Sequence, residues 1–132
     1  MSHRHAVAWI DHAQARILYV DPAEVEKSIV TSGDRPHVHV KRGVIEQGMV
    51  GTGKADEDQH YYHDVARALS DAAGILITGP GQAKLALFKH LQRHDPQVAE
   101  RVLGIETSDH PSDSQVVAHA RRYFEAHDRS RG

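Results

Sequence analysis

His37 and His39 stand two apart in the stretch HVHVKR, a spacing that turns both imidazoles to one side of an extended strand. Neutral imidazole is a ligand for zinc and other divalent cations, and such a site needs at least one further donor. Asp11 offers a carboxylate, and His12, His60 or His63 a further imidazole. On this reading the chain is a metal-dependent hydrolase or nuclease built on His37, His39 and Asp11. A plainer account of the same residues is a polar strand face in water and an aspartate that closes a hairpin turn. No carboxylate–histidine combination has a recognised ligand spacing. The leading expectation is therefore no cofactor, with a divalent metal as the alternative.

A second pattern lies in GMVGTGKA, Gly48–Ala55, where Gly48, four spacers, Gly53 and Lys54 fit a phosphate-binding loop. That loop works by wrapping phosphates in backbone N–H groups after a buried strand, with a Ser or Thr hydroxyl on magnesium. Here Ala55 occupies the hydroxyl position, and Asp56, Glu57 and Asp58 follow where a polyphosphate would approach. Nucleotide binding is set aside. What remains is a long, glycine-bearing loop with Lys41, Arg42 and Lys54 at its ends, able to order itself on a phosphate backbone. Gly79-Pro80-Gly81-Gln82 has the makings of an anion site at a helix start, but equally of any tight turn. Arg121, Arg122, Arg129 and Arg131 are interspersed with Glu125 and Asp128, as on a mixed solvated face.

The elements that must hold these residues follow from periodicity. Ala6–Ile10 is a continuous apolar run, the pattern of a strand buried on both faces. Asp11–Gln14 turns the chain, and Ala15–Val20 returns it as a hairpin. Val25–Thr31 and HVHVKR read as further strands. The period then changes: Tyr62, Val65, Ala66, Leu69 and Ala73 form one helical stripe, which Gly74 ends. Ile75–Thr78 is a short buried strand. Lys84, Leu87, Phe88 and Leu91 mark a second helix, and Asp95-Pro96 starts a short one through Val102. Leu103–Thr107 is the last strand. Pro111, Ser112 and Asp113 open a final helix carrying Val116, Val117, Ala120 and Phe124. Strands first, then alternating helix and strand, imply an α/β domain of three layers on a mixed five-stranded sheet.

The bulk properties agree. The 132 residues make one domain, residues 1–132, with a tail expected to fray over 128–132. A formal charge of -2 supplies no global field for nucleic acid, so contact with a polyanion must be local. The absence of cysteine excludes disulfides and thiolate metal sites. No segment reads as a signal peptide or a membrane span, which points to the cytoplasm and away from membranes. Histidine is in excess, at 12 residues, and proton-linked behaviour near neutral pH follows if any of them is suitably placed.

Three strands, a glycine-bearing loop, a helix, GILITGPGQAK and a closing LGIETSD together resemble the central domain of archaeal and eukaryotic class-1 release factors and of Pelota. The resemblance runs from Ala6 to Phe124, and its best local match is Ile75–Thr78, the Gly79-Pro80-Gly81 turn and Lys84. It implies a ribonuclease-H-like fold and a bacterial release-factor-like, translational-machinery protein. In release factors the matching loop carries Gly-Gly-Gln, which promotes peptidyl-tRNA hydrolysis. Here no Gly-Gly-Gln occurs, and Gln47-Gly48 is the nearest fragment. Pelota lacks that triplet as well. The resemblance therefore implies a non-catalytic module that binds ribosomal or tRNA-like RNA, with Lys41, Arg42 and Lys54 as the phosphate contacts. Self-association is a further expectation, because the outer strand of a mixed sheet can pair with a second copy.

Overall fold

In the computed structural model of the chain, residues 4–21, 25–32 and 49–131 are described, with side chains left out at 49–58 and 129–131. Five strands form one sheet: β1 (His5–Ile10), β2 (Gln14–Val20), β3 (Val25–Thr31), β4 (Gly74–Gly79) and β5 (Val102–Thr107). Their order is β3-β2-β1-β4-β5. β1 pairs antiparallel with β2, and β2 with β3, whereas β4 runs parallel to both β1 and β5. The helices are α1 (Met49–Ala68), α2 (Ala83–His94), α3 (Pro96–Ala99) and α4 (Asp113–Arg131). This is the mixed five-stranded α/β sheet that the alternation of elements called for.

Alternation of side chains across the sheet divides the interior into two cores. Ala6, Ala8, Ile10, Ile17, Ile75 and Ile77 face Tyr61, Val65 and Leu69 of α1, Leu87 and Leu91 of α2, and Val98 of α3. Val7, Leu18, Val20 and Leu76 face Val116, Ala120 and Phe124 of α4. Three helices thus cover one face and one helix the other, giving three layers. β1 and β4 lie at the centre, and β4 is buried along its whole length, as expected of strands that are apolar on both sides.

Several local expectations are corrected. The stretch read as loop up to Lys54 and beyond is helical from Met49, so Lys54 and Ala55 stand on α1. Glycine at 51 and 53 lowers helix propensity by about 1 kcal/mol each, and a helix this long carries that cost through the packing of its later turns. Val65, Ala66 and Leu69 of the expected stripe are buried, but Tyr61 and Ala72 are buried beside them, whereas Tyr62 is half-buried and Ala73 exposed. The short helix ends at Ala99, and Val102 opens β5 instead of closing α3. α4 runs as far as Arg131. The strand proposed over HVHVKR lies outside the described residues.

α4 starts where its sequence says it should. The Ser112 backbone N–H donates to Gln115 Oε1 at 2.8 Å, and the Gln115 N–H donates to Ser112 Oγ at 3.2 Å. This reciprocal capping box is worth about 1 kcal/mol.

Candidate functional site

Asp11 sits where β1 turns into β2. Its Oδ1 accepts the backbone N–H groups of Ala13 at 2.8 Å and Gln14 at 2.9 Å. That is an Asx turn, so one carboxylate oxygen is committed to the hairpin. The other oxygen lies 3.6 Å from His110 Nε2. Tyr61 of α1 donates its hydroxyl to the Asp11 carbonyl at 2.9 Å, which anchors the turn to the helical layer. Beside it is a cleft of about 330 Å³ lined by Asp11, His12, Ala13, Pro80, Gly81, Ala83 and His110. His37 and His39, the other members of the predicted metal set, lie outside the described residues. So do Lys41 and Arg42. Lys54 is on α1, near its start.

The floor of this cleft is the β4–α2 turn. Gly79 has φ +155°, and a Cβ there would come within 2.1 Å of the Ile10 carbonyl oxygen. Only glycine lets β4 pass so close to β1. Lys84 is buried, and its ammonium donates back to the Gly81 carbonyl. The lysine singled out from sequence therefore ties the turn to its own helix.

On the α4 face, the end of β1 carries a linked set of polar groups. Trp9 is fully buried and donates its indole N–H to the Asp109 carbonyl at 2.8 Å. The Arg16 guanidinium lies 4.5 Å over the Trp9 ring, a favourable placement over the negative ring face. Arg16 also donates to Asp113 Oδ1 at 2.6 Å and to the Pro111 carbonyl at 3.0 Å. Lys27 of β3 bonds the second oxygen of Asp113. Hydrogen bonds from Lys27 and Arg16 hold the Asp113 carboxyl below the usual aspartate range. The network fastens the β5–α4 connection to three strands.

A second polar cluster forms where α1, α2 and α3 meet. His90 of α2 is 6% exposed. Its Nδ1 lies 2.9 Å from Gln59 Oε1, and its Nε2 lies 3.9 Å from Asp95 Oδ2. Burial, reinforced by the nearby His94, pushes the His90 imidazole below its ordinary range. The His94 ring lies tilted against His90 with centroids 4.6 Å apart, and Tyr62 approaches from α1 at 5.8 Å. His63 completes a group in which one ligand atom each from His63, His90 and Asp95 lies within 4.8 Å of the others. It is the only group of this kind among the described residues. Of these three, the sequence singles out only His63 as a candidate ligand; His90 and Asp95 come from the structure. The available signal was a histidine on the apolar stripe between Leu87 and Leu91, one turn before an Asp-Pro break.

Among the described residues, no helix is long and apolar enough to cross a membrane. No family model matches the chain. The Pelota homologue of Pyrococcus horikoshii is 23% identical over 111 residues, which cover 80% of this chain and 31% of that protein. The chain thus spans about a third of the length of the curated relatives it matches. The crystal structure of Archaeoglobus fulgidus Pelota superposes with a TM-score of 0.57 at 15% identity, covering 97% of this chain and 37% of the other. An archaeal translation termination factor, aRF1, gives a TM-score of 0.57 at 12% identity over 84% of this chain and 31% of the factor. The sheet order, the helices on its two faces and these matches agree: the chain has the fold of the Pelota and aRF1 domains on which it superposes, and resembles Pelota weakly in sequence.

Proposed function

We propose that the chain is a non-catalytic, translation-associated module that works in the cytoplasm and binds ribosomal or tRNA-like RNA. The observation that carries this reading is the extent of the fold match, which takes in 97% of the chain on Archaeoglobus fulgidus Pelota. The sequence lacks Gly-Gly-Gln, so the hydrolytic chemistry of release factors is not part of the reading. Lys41, Arg42 and Lys54 make the phosphate contacts. They position the module on RNA without reading bases, since phosphate contacts carry no sequence information.

Sedimentation of the untagged protein with ribosomes at low and high salt tests this. Co-sedimentation is expected at low salt and should weaken as salt rises, because cation–phosphate contacts release counterions. Substituting Lys41, Arg42 and Lys54 together by Gln should lower binding and flatten the salt dependence by about one unit of log–log slope per contact. Absence from ribosomal fractions at every salt concentration would defeat the reading.

A further inference from the structure

The geometry points to a divalent transition-metal site, with zinc as the preferred ion, held by His63, His90 and Asp95. These residues come from three elements, α1, α2 and the turn into α3, and their ligand atoms lie within 4.8 Å of one another. The site is distinct from the sequence-predicted set of His37, His39 and Asp11, and it is independent of the RNA-binding reading.

The orientation of His90 is the first argument. Gln59 Oε1 is an acceptor, so the ring proton sits on Nδ1 and is donated to it. The Nε2 lone pair then points at Asp95 Oδ2, 3.9 Å away. Both atoms are buried and neither has a hydrogen-bond partner. Two buried acceptors facing each other with no donor between them repel, and leaving them so costs about 1–3 kcal/mol apiece. A cation between them satisfies both at once. The Gln59 contact is the outer partner that metal-ligating histidines use to fix tautomer and ring orientation.

Asp95 supplies a second, independent argument. It occupies the N-cap position of α3, where an aspartate ordinarily accepts a backbone N–H of the first turn. Its side chain makes no such bond. The carboxylate is instead turned inward, toward His90. A cap worth about 1 kcal/mol is forgone, as a carboxylate turned toward a metal would require.

The donor set selects the ion. Two imidazole nitrogens and one carboxylate oxygen suit zinc, whereas calcium and magnesium prefer oxygen-only shells. Donors around a tetrahedral zinc stand about 3.3 Å apart, given bonds of about 2.0–2.1 Å. The present separations, up to 4.8 Å, need a contraction of as much as about 1.5 Å, which the exposed His63 and the part-exposed Asp95 can supply by changing rotamer. Three protein donors leave one position for water.

The test uses untagged, chelator-stripped protein titrated with Co²⁺, whose visible absorption reports tetrahedral nitrogen and oxygen ligation, and then with Zn²⁺ in competition. One tight equivalent is expected. His63→Ala and Asp95→Asn, both at partly or fully exposed positions, should each weaken it by about ten- to a hundredfold, with circular dichroism unchanged. Gln59→Ala should weaken it by about tenfold through the lost outer hydrogen bond. His90→Ala empties a buried position and is not needed for the decision. The site is overturned if the wild type takes up no tight equivalent. It is also overturned if the folded His63→Ala and Asp95→Asn proteins bind as the wild type does, which would assign the metal to other histidines.

Discussion

Asp113 shows how one side chain serves several neighbours. It begins α4, accepts from Arg16 of β2 at 2.6 Å and bonds Lys27 of β3. Its carboxyl is depressed by these two partners, so folding favours the ionised form. The stabilisation is fully present above the ordinary aspartate value of 3.8 and is lost as pH falls through the lower folded value. Asp113→Asn should therefore destabilise the protein by about 0.5–1 kcal/mol at pH 7, a modest figure because the pair is partly solvated. The deficit should shrink below the ordinary aspartate value, and urea unfolding at both pH values measures it. Equal deficits at pH 7 and pH 2.5 would remove the charge from the explanation. Asp11 is the instructive contrast. It was nominated as a metal ligand, yet its Oδ1 is taken by two backbone N–H groups of the hairpin. Turn chemistry and ligand chemistry use the same residue type, and the sequence alone does not separate them.

Among the elements, the β4–α2 turn is the least tolerant. Gly79→Ala would drive a methyl group into the Ile10 carbonyl and hold alanine at a positive φ. A loss of roughly 3 kcal/mol is expected, read as a lowered midpoint in thermal unfolding. Gly81→Ala, with nothing within 4 Å of its added Cβ, should stay near wild type. The strands were legible because their signals are local: Ala6–Ile10 and Ile75–Thr78 are apolar on both faces, and a sheet centre is the place that uses such runs. α4 was legible for the same kind of reason, since its cap and its stripe of Val116, Ala120 and Phe124 are both written in sequence. The start of α1 was not. Gly51 and Gly53 are what a loop wants, and only packing farther along, at Tyr61, Val65 and Leu69, makes the helix worthwhile. The His90 cluster was hidden for a different reason. It depends on the junction of three helices, a long-range fact that no spacing within one element reports.

As a whole, the molecule is two cores sharing one sheet. Leu87 belongs to the core under α1, α2 and α3, and Phe124 to the core under α4. Leu87→Ala and Phe124→Ala should each cost about 3 kcal/mol. Because β1, β2 and β4 form a common wall, each variant should lower a single cooperative transition and not split it in two. The double variant should equal the sum of the singles within about 0.5 kcal/mol, since the side chains lie on opposite faces and share no partner. Denaturant titration followed by two probes checks both points, and a biphasic curve would show that the layers melt separately. The division also bears on legibility: the order of strands and helices was readable from periodicity, but the assignment of three helices to one face and one to the other was not. It follows from where parallel crossovers can pack, a property of the closed topology.

The chain has one tryptophan, and it is Trp9, held under the guanidinium of Arg16 and tied by its indole N–H to the chain just before α4. Its emission therefore comes from a single buried seam, with the His110 ring 5.0 Å away. That places an intrinsic fluorophore where the β5–α4 connection closes over the sheet, so the native protein carries its own optical gauge of whether that connection is seated.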